Sequence, residues 1–546
     1  MGPLHTHLTL LEESSARYAS RPIFMVPRQP VHAEGIGKRD WYTITFPQFL
    51  QDVELAARYW LRTLNESATP LRSVVGLCGA WGRVGGTEYT DVLHIFGVAR
   101  AGFVPQALSL LLPNPGAAYE LLSQTNAHAL IIDPSFASMS TNCPIPVHIA
   151  VRDIHAMVMD VDDIALPPVH KASAAEDIAM IFHTSGSSSR RPKLVPCSYR
   201  WLDALIAKTK QGGITYDPRK QDVTAWMGSM CHIGQTFMVL GAMQHGACLV
   251  QPTTIAFSSD ELVDMITRCG LNRLMQFSTF LGIHLRRARQ DVAFLARLQS
   301  LDEVLYSGLP LSQEDKEWAL SNGIVLRNLY GTTECGGSML LSIGGRDSNA
   351  HLLRPLEGVS YRFCPVSDIR ASNALDASPL LELVVLSDSG DCPHYSLRDV
   401  DGHFHTRDLF QEVSPGCYVF RGREDDWIKS ENGLRCDTKA IEDEVRSTCK
   451  ELVFDCVVVG TGRPSPALFV EGRGTVDAEA LKEEILRRTQ HSQAERYLHE
   501  QIVSTKFVFV VPPNSLPRTS TKGNIRRQAV EIAFKAELDE IYRPIF

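Results

Sequence analysis

The stretch HTSGSSSRRPKLV (183–195) gathers Thr184, Ser185, Gly186, Ser187 and Ser188 just ahead of Arg190, Arg191 and Lys193. Hydroxyls and successive backbone N–H groups on a loop of small residues turn readily toward an anion, and the cations behind them add attraction. Taken alone, a Ser/Gly tract reads as a solvated linker. Three other segments decide against that. The run LRNLYGTTECGG (326–337) sets Asn328, Tyr330, Gly331, Thr332, Thr333 and Glu334 close together. A phenol ring stacks on a purine, hydroxyls bind phosphate, and a carboxylate carries a magnesium ion. The segment FHTRDLFQEVSPGCYVFRGREDD (404–426) offers Asp408, whose carboxylate can accept both hydroxyls of a ribose. In LPRTSTKGNIRR (516–527), Lys522 sits on a Gly/Ser/Thr loop and can swing a point charge onto a phosphate. Each residue has a bland alternative: Tyr330 as core filler, Asp408 as a surface turn, Lys522 as one solvated lysine among many. Their order and spacing together favour a nucleotide site.

The elements that must position these residues are legible. The apolar run DIAMIF leads straight into the serine-rich loop, so a strand presents it. Further β-rich runs, SVVGLCG (73–79), HALIID (128–133), ACLVQ (247–251), LDEVLYSG (301–308) and LELVVLS (381–387), are separated by helix-like segments such as FPQFLQDVELAARYWLRTL. Strands alternating with helices predict an α/β chain with largely parallel sheets. Near YVFRGREDDWIKSENG (418–433) turn-forming and charged residues cluster, as at a domain junction. The expected architecture is a large N-terminal domain of stacked mixed sheets with helices, residues 1–423. A small mobile α+β C-terminal lid, residues 424–546, follows.

With 546 residues the chain exceeds one ordinary core, and 44% hydrophobic content excludes disorder. A net charge of −8 leaves no electrostatic footprint for nucleic acid. The most apolar window, LHIFGVARAGFVPQALSLLLP (93–113), is interrupted by Arg100, Gly102, Pro105 and Gln106, so no membrane span is predicted. No signal peptide is read in MGPLHTHLTLLEESS, and thirteen cysteines lack any CxxC pair. Reduced thiols and a cytoplasmic location are expected.

With these motifs in place, the chain resembles the adenylate-forming superfamily of acyl-CoA synthetases, beetle luciferases and adenylation domains of nonribosomal peptide synthetases. The likeness runs over essentially its whole length. FGVARAGFVPQALSLLLPNP is similar to the helix-and-strand motif ahead of the phosphate loop, and YSGLPLS (306–312) to the segment lining the adenine and acyl pockets. HTSGSS and HTRDLF look most like the adenylation domain of fungal synthetase-like carboxylic acid reductases.

By position, the resemblance implies that Thr184, Ser185, Gly186, Ser187 and Ser188 cradle the phosphates of ATP and that Lys193 closes that loop. Tyr330 is the adenine-stacking aromatic and Asn328 the polar residue meeting the adenine, with Gly308, Gly331 and Thr332 in the same nucleotide site. Thr333 contacts phosphate, Glu334 holds Mg2+, Asp408 binds the ribose with Arg423 in support, Asp425 is the hinge and Lys522 the mobile catalytic lysine. Three departures stand out: Ser189 replaces a glycine with one residue more before Pro192, Arg407 replaces a glycine, and Lys522 precedes rather than follows its glycine.

The implied reaction has two steps. A carboxylate displaces pyrophosphate from ATP to give an acyl-adenylate, and a thiol then displaces AMP after the lid rotates. The thiol is the phosphopantetheine of a carrier domain ahead of a reductase, expected in cis beyond EIYRPIF. A free-standing acyl- or aryl-CoA ligase using coenzyme A is the alternative, and a catalytically silent nucleotide-binding scaffold a third. WMGSMCHIGQTF (226–237) has no carboxylate to meet an α-amino group, so a standard α-amino acid is disfavoured. His232 sits where acid-activating relatives carry a residue beside the carboxylate. With Trp226, Phe237, Phe277, Ser278, Tyr306 and Gly308 it lines the expected pocket. An aryl or alkyl acid on apolar walls fits that lining, as does glycine betaine held by cation–π contacts.

Overall fold

The computed structural model describes residues 4–27, 41–79, 88–108, 115–155, 161, 163–169, 174–184, 193–212, 219–226, 230–254, 256–308, 310–344, 351–366, 379–424, 427–429, 435–474, 477–496, 500–502, 504–518 and 525–542. It separates into two compact units. One comprises Met1–Arg362, Val384–His405 and Ser414–Tyr418, and the other Phe363–Leu383, Thr406–Val413 and Val419–Phe546. The division falls across four adjoining strands, Tyr361–Pro365, Leu380–Val385, Phe404–Ser414 and Cys417–Arg423, each of which has residues in both units.

The first unit is built on two sheets. One runs in the order Val147–Ile149, Ala129–Ile132, Val74–Cys78, Val104–Ala107, Ile178–Thr184, Lys193–Ser198. Its first five strands are parallel and the last closes an antiparallel hairpin. The other sheet carries the parallel strands Leu326–Tyr330, Glu303–Ser307, Arg273–Phe277, Val223–Ala225, Cys248–Val250 and Pro22–Pro27, side by side in that order. Antiparallel strands Leu340–Ser342 and Trp41–Thr45 flank it.

Burial follows the pleat. Met275, Leu305 and Leu329 face a core shared with Leu77, Ile131 and Phe182 of the first sheet, and helices Phe46–Glu66 and Ile233–His245 pack in the same core. Val304, Tyr306 and Leu326 face a second core under helices Ser278–Ala288 and Gln313–Ser321. Such two-sided burial explains why these strands read as near-continuous apolar runs. At their N-terminal ends Arg273 bridges Asp222 (2.9 Å) and Glu303 (2.8 Å), and Arg327 meets the other oxygen of Glu303 (2.9 Å).

The second unit has a three-stranded sheet, Val453–Val459 antiparallel to Ala467–Gly472, which is parallel to Val508–Val511. Alternate residues face opposite cores. Cys456, Val458, Leu468 and Val470 pack under helices Thr438–Thr448 and Ala478–Glu495. Val457, Val459 and Phe469 pack against Val530 and Leu538 of the C-terminal helices. All thirteen cysteines are free thiols. Among the described residues no helix is long and apolar enough to cross a membrane.

Candidate active site

Three parallel strands finish in register, so Phe277, Ser307 and Leu329 stand side by side at their C-terminal ends. Open parallel sheets bind ligands at that edge, because the chain departs there into loops. Gly308 follows with φ +89°, and a Cβ on it would lie 3.1 Å from the Phe277 ring. The Ser278 hydroxyl donates to the carbonyl of Ser307 at 3.2 Å. Tyr306 pairs with Asn328 across the ladder, and its side chain is buried in the second core.

Beyond Tyr330 the chain folds back on itself. Gly337 N donates to Thr332 O (2.8 Å) and Met339 N to Tyr330 O (2.9 Å), closing a loop around a short helical turn, Thr333–Cys335. A Cβ on Gly331 would come within 2.3 Å of the carbonyl carbon and oxygen of Gly337, so only glycine lets the two limbs meet. The turn is braced from one helix, Tyr199–Gly212. Trp201 Nε1 donates to Glu334 O (2.9 Å), and Lys208 Nζ donates to Cys335 O (2.5 Å) and to Asp391 Oδ2 (2.8 Å).

The serine-rich loop connects a hairpin whose last pair is Thr184 with Lys193. Ser185, Gly186, Ser187 and Ser188 lie outside the described residues. The hairpin's second strand runs directly into the bracing helix. Burial first and the neighbouring Glu334 second push the Cys197 thiol up, which sets that strand close to the glutamate. His183, one residue before the loop, is held neutral by burial, its pKa lowered to about 4.

His232 caps helix Ile233–His245, its Nδ1 accepting from Gly234 N at 3.2 Å. In a neutral ring that assigns the proton to Nε2. The His232 and Phe277 rings meet edge-on at 5.2 Å, and a Cβ on Gly337 would touch Ile233 and Gly234. His232, Phe277, Gly337 and Gly308 are thus linked neighbours. Trp226 and Phe237 lie deeper. Trp226 is fully buried against Phe24 and donates to Gln235 O (3.3 Å), while Phe237 packs where a Cβ on Gly212 would fall.

In the second unit Asp408 is 4% exposed. Arg423 Nη1 lies 3.4 Å from its Oδ1, and its own N–H donates to Thr406 Oγ1, which in turn donates to Leu383 O. Arg407 adopts φ +60°, a left-handed conformation that suits the glycine usual there and strains an arginine. Asp425 and Lys522 lie outside the described residues.

Among the described residues no group of three His, Cys, Asp or Glu is placed to hold a metal. A single carboxylate, Glu334, on the turn that follows Tyr330 nevertheless fits Mg2+. That ion is held by one or two carboxylates with substrate phosphates rather than by an all-protein cage. Sequence reasoning missed Trp201, Lys208 and Asp391. The available signal was Lys208 itself, a lysine on the apolar stripe of WLDALIAKTK.

Comparison with known proteins identifies the family. Residues 28–362 match the model of AMP-binding enzymes, and residues 425–545 that of the AMP-binding enzyme C-terminal domain. The chain is 35% identical over 525 residues to the AMP-binding domain-containing enzyme iboA of Amanita muscaria (strain Koide BX008), covering 94% of this chain and 98% of that protein. It is 24% identical over 507 residues to the adenylate-forming reductase Nps11 of Serpula lacrymans var. lacrymans (strain S7.9), covering 83% of this chain but only 43% of that one. It thus spans less than half of the reductase's length. Among solved structures, the o-succinylbenzoate CoA synthetase MenE of Bacillus subtilis, in complex with its acyl-adenylate intermediate, superposes with a TM-score of 0.73. At 16% identity, with 96% of this chain and 98% of that one covered, the likeness is one of fold.

Proposed function

The chain belongs to the AMP-binding enzymes, and from that premise we propose that it activates a carboxylic acid as an acyl-adenylate and hands the acyl group to a thiol. One observation carries the reading. The hairpin bearing the serine-rich loop and the Tyr330–Glu334 run belong to different sheets, yet the helix that leaves the hairpin grips the turn after Tyr330 through Trp201 and Lys208. A phosphate loop and an adenine–metal loop have to be joined in this way if they serve one nucleotide.

ATP lies with its adenine against the Tyr330 ring and Asn328, beside Gly308. Its phosphates meet Thr184 to Ser188, Lys193 and the hydroxyls of Thr332 and Thr333. Mg2+, when bound at Glu334, supplies charge neutralisation on the phosphates. The acid's carboxylate sits by Nε2–H of His232 at the N-terminus of a 13-residue helix, whose dipole favours an anion. A carboxylate oxygen attacks the α-phosphorus, the bond to the bridging oxygen breaks, and pyrophosphate leaves with the electron pair. Lys522 brings positive charge to the α-phosphate as this happens, and such a contact commonly contributes about 2.7–4 kcal/mol. Asp408, held by Arg423, takes the ribose hydroxyls.

Rotation of the lid, residues 424–546, about Asp425 then admits the thiol. The likeness to adenylate-forming reductases supports the phosphopantetheine of a carrier domain as acceptor, with coenzyme A as the alternative. Phe277 and the apolar strand faces suit an aryl or alkyl acid or a quaternary ammonium acid such as glycine betaine. Hydroxylamine trapping with a panel of such acids, ATP and Mg2+ tests the whole reading. Hydroxamate should form with a narrow set of acids and vanish in Lys522→Ala. No hydroxamate from any acid, in protein that binds ATP, would refute it.

A further inference from the structure

We propose that Lys208, paired with Asp391, is a positioning residue that fixes the Thr333–Cys335 turn and thereby controls binding of MgATP. This rests on the assignment of that turn to the nucleotide. Lys208 is 2% exposed and Asp391 1%. Their ion pair spans 2.8 Å, and the same ammonium donates to Cys335 O at 2.5 Å. Asp391 is held in turn by Ser389 Oγ (2.6 Å) and by the hydroxyl of Tyr361.

Trp201, Leu205 and Lys208 are spaced i, i+4, i+7 and form one stripe of the helix, and all three meet the turn. Trp201 reaches Glu334 O, a Cβ on Gly336 would lie 2.8 Å from Leu205 Cδ1, and Lys208 reaches Cys335 O. The carbonyls of two consecutive peptides, Glu334–Cys335 and Cys335–Gly336, are therefore each held by a separate donor. A buried ion pair is weak evidence for stability, since apolar residues of similar volume often replace one without loss. Stability alone thus gives no reason for a lysine at this place. What an apolar residue lacks is the second interaction, a donor for Cys335 O. That donor fixes the rotation of the peptide next to the glutamate that meets the metal.

The test separates positioning from folding. In Lys208→Met/Asp391→Asn the uncompensated charge is gone, so the thermal midpoint should stay within a few degrees of wild type. Cys335 O still loses its donor. We expect the Kd for MgATP, measured by isothermal titration calorimetry, and the KM for MgATP in acid-dependent pyrophosphate exchange to rise about tenfold, with the KM for the acid unchanged. Lys208→Arg is the second probe. It keeps a cation against Asp391, but its planar fork cannot reproduce the point contact with Cys335, and the same selective weakening is expected. Wild-type MgATP affinity in either folded variant would overturn the proposal. Glu334→Gln runs in parallel, and wild-type affinity there as well would overturn the nucleotide assignment of the turn along with it.

Discussion

Replacing Gly331 by alanine puts one methyl group where the structure has no room. The new carbon would stand 2.3 Å from the carbonyl carbon and oxygen of Gly337 and 2.6 Å from Ser338 N. All three are backbone atoms, so no side chain can rotate away. Restoring a tolerable contact near 3.0–3.4 Å means opening the loop by about 0.7–1.1 Å, an overpacking strain of about 1–3 kcal/mol. The hydrogen bonds Gly337 N to Thr332 O, at 2.8 Å, and Met339 N to Tyr330 O, at 2.9 Å, span the same gap and would stretch past useful length. Each contributes about 0.5–1.5 kcal/mol. The expected destabilisation is therefore roughly 2–6 kcal/mol. Because Tyr330, Thr333 and Glu334 ride on the displaced limbs, a shift near 1 Å should lower the rate on the order of 10²-fold. The assay is acid-dependent ATP–pyrophosphate exchange at saturating substrates, with urea unfolding on the same preparations. Gly241→Ala, whose added carbon meets only Thr209 Cβ at an ordinary 3.7 Å and whose φ is not positive, is the control for chain stiffening. Exchange within threefold of wild type in Gly331→Ala would refute the steric reasoning.

Glu303→Gln should lower unfolding free energy by about 3–5 kcal/mol, because the buried Arg327 loses its carboxylate and Arg273 keeps only Asp222. Burial raises the Glu303 carboxyl, but Arg273 and Arg327 outweigh it and hold it below its ordinary 4.5. A depressed folded pKa stabilises above 4.5 and loses that stabilisation as pH falls through the lower folded value, so urea midpoints of wild type and variant should converge only in acid. His7→Phe should stabilise. The imidazole is buried edge-on to Phe96 with neither nitrogen hydrogen-bonded, and burial lowers its pKa to about 4. Below its ordinary 6.5 the unfolded chain takes up the proton first, so wild type loses up to roughly 3 kcal/mol between there and about 4. The variant should show a higher thermal midpoint at pH 5 and a shallower acid slope. His232→Asn preserves a capping side chain, so the thermal midpoint should hold within about 2 °C while the KM for the acid rises severalfold and that for MgATP does not.

The sheets and the strand that leads into the serine-rich loop were legible because their signals are local. Apolar runs such as SVVGLCG and LDEVLYSG became the parallel strands Val74–Cys78 and Glu303–Ser307, and the loop after DIAMIF does follow a strand. Aromatic type did not reveal direction. Trp226 and Phe277 are both large and apolar, yet one packs in the core against Phe24 while the other ends a strand beside His232. Which of them reaches a pocket depends on strand ends and helix caps that only tertiary pairing fixes. Lys208 is legible as a lysine on an apolar helix stripe, but Asp391 lies 183 residues away, so the pairing itself leaves no trace in either neighbourhood.

The pairing of Thr184 with Lys193 carries a consequence for how this sequence can vary. Residues 185–192 bridge two points already fixed by the ladder, so adding or removing a residue between them leaves every rung of the hairpin and the start of the next helix where they were. Lengthening such a bridge costs only a fraction of a kcal/mol per residue. The extra residue ahead of Pro192 is thus absorbed inside the span, and Lys193 stays at its station. Exchanging residues 185–192 for a shorter, glycine-richer stretch should therefore leave the Thr184–Lys193 pair and the rungs behind it in place.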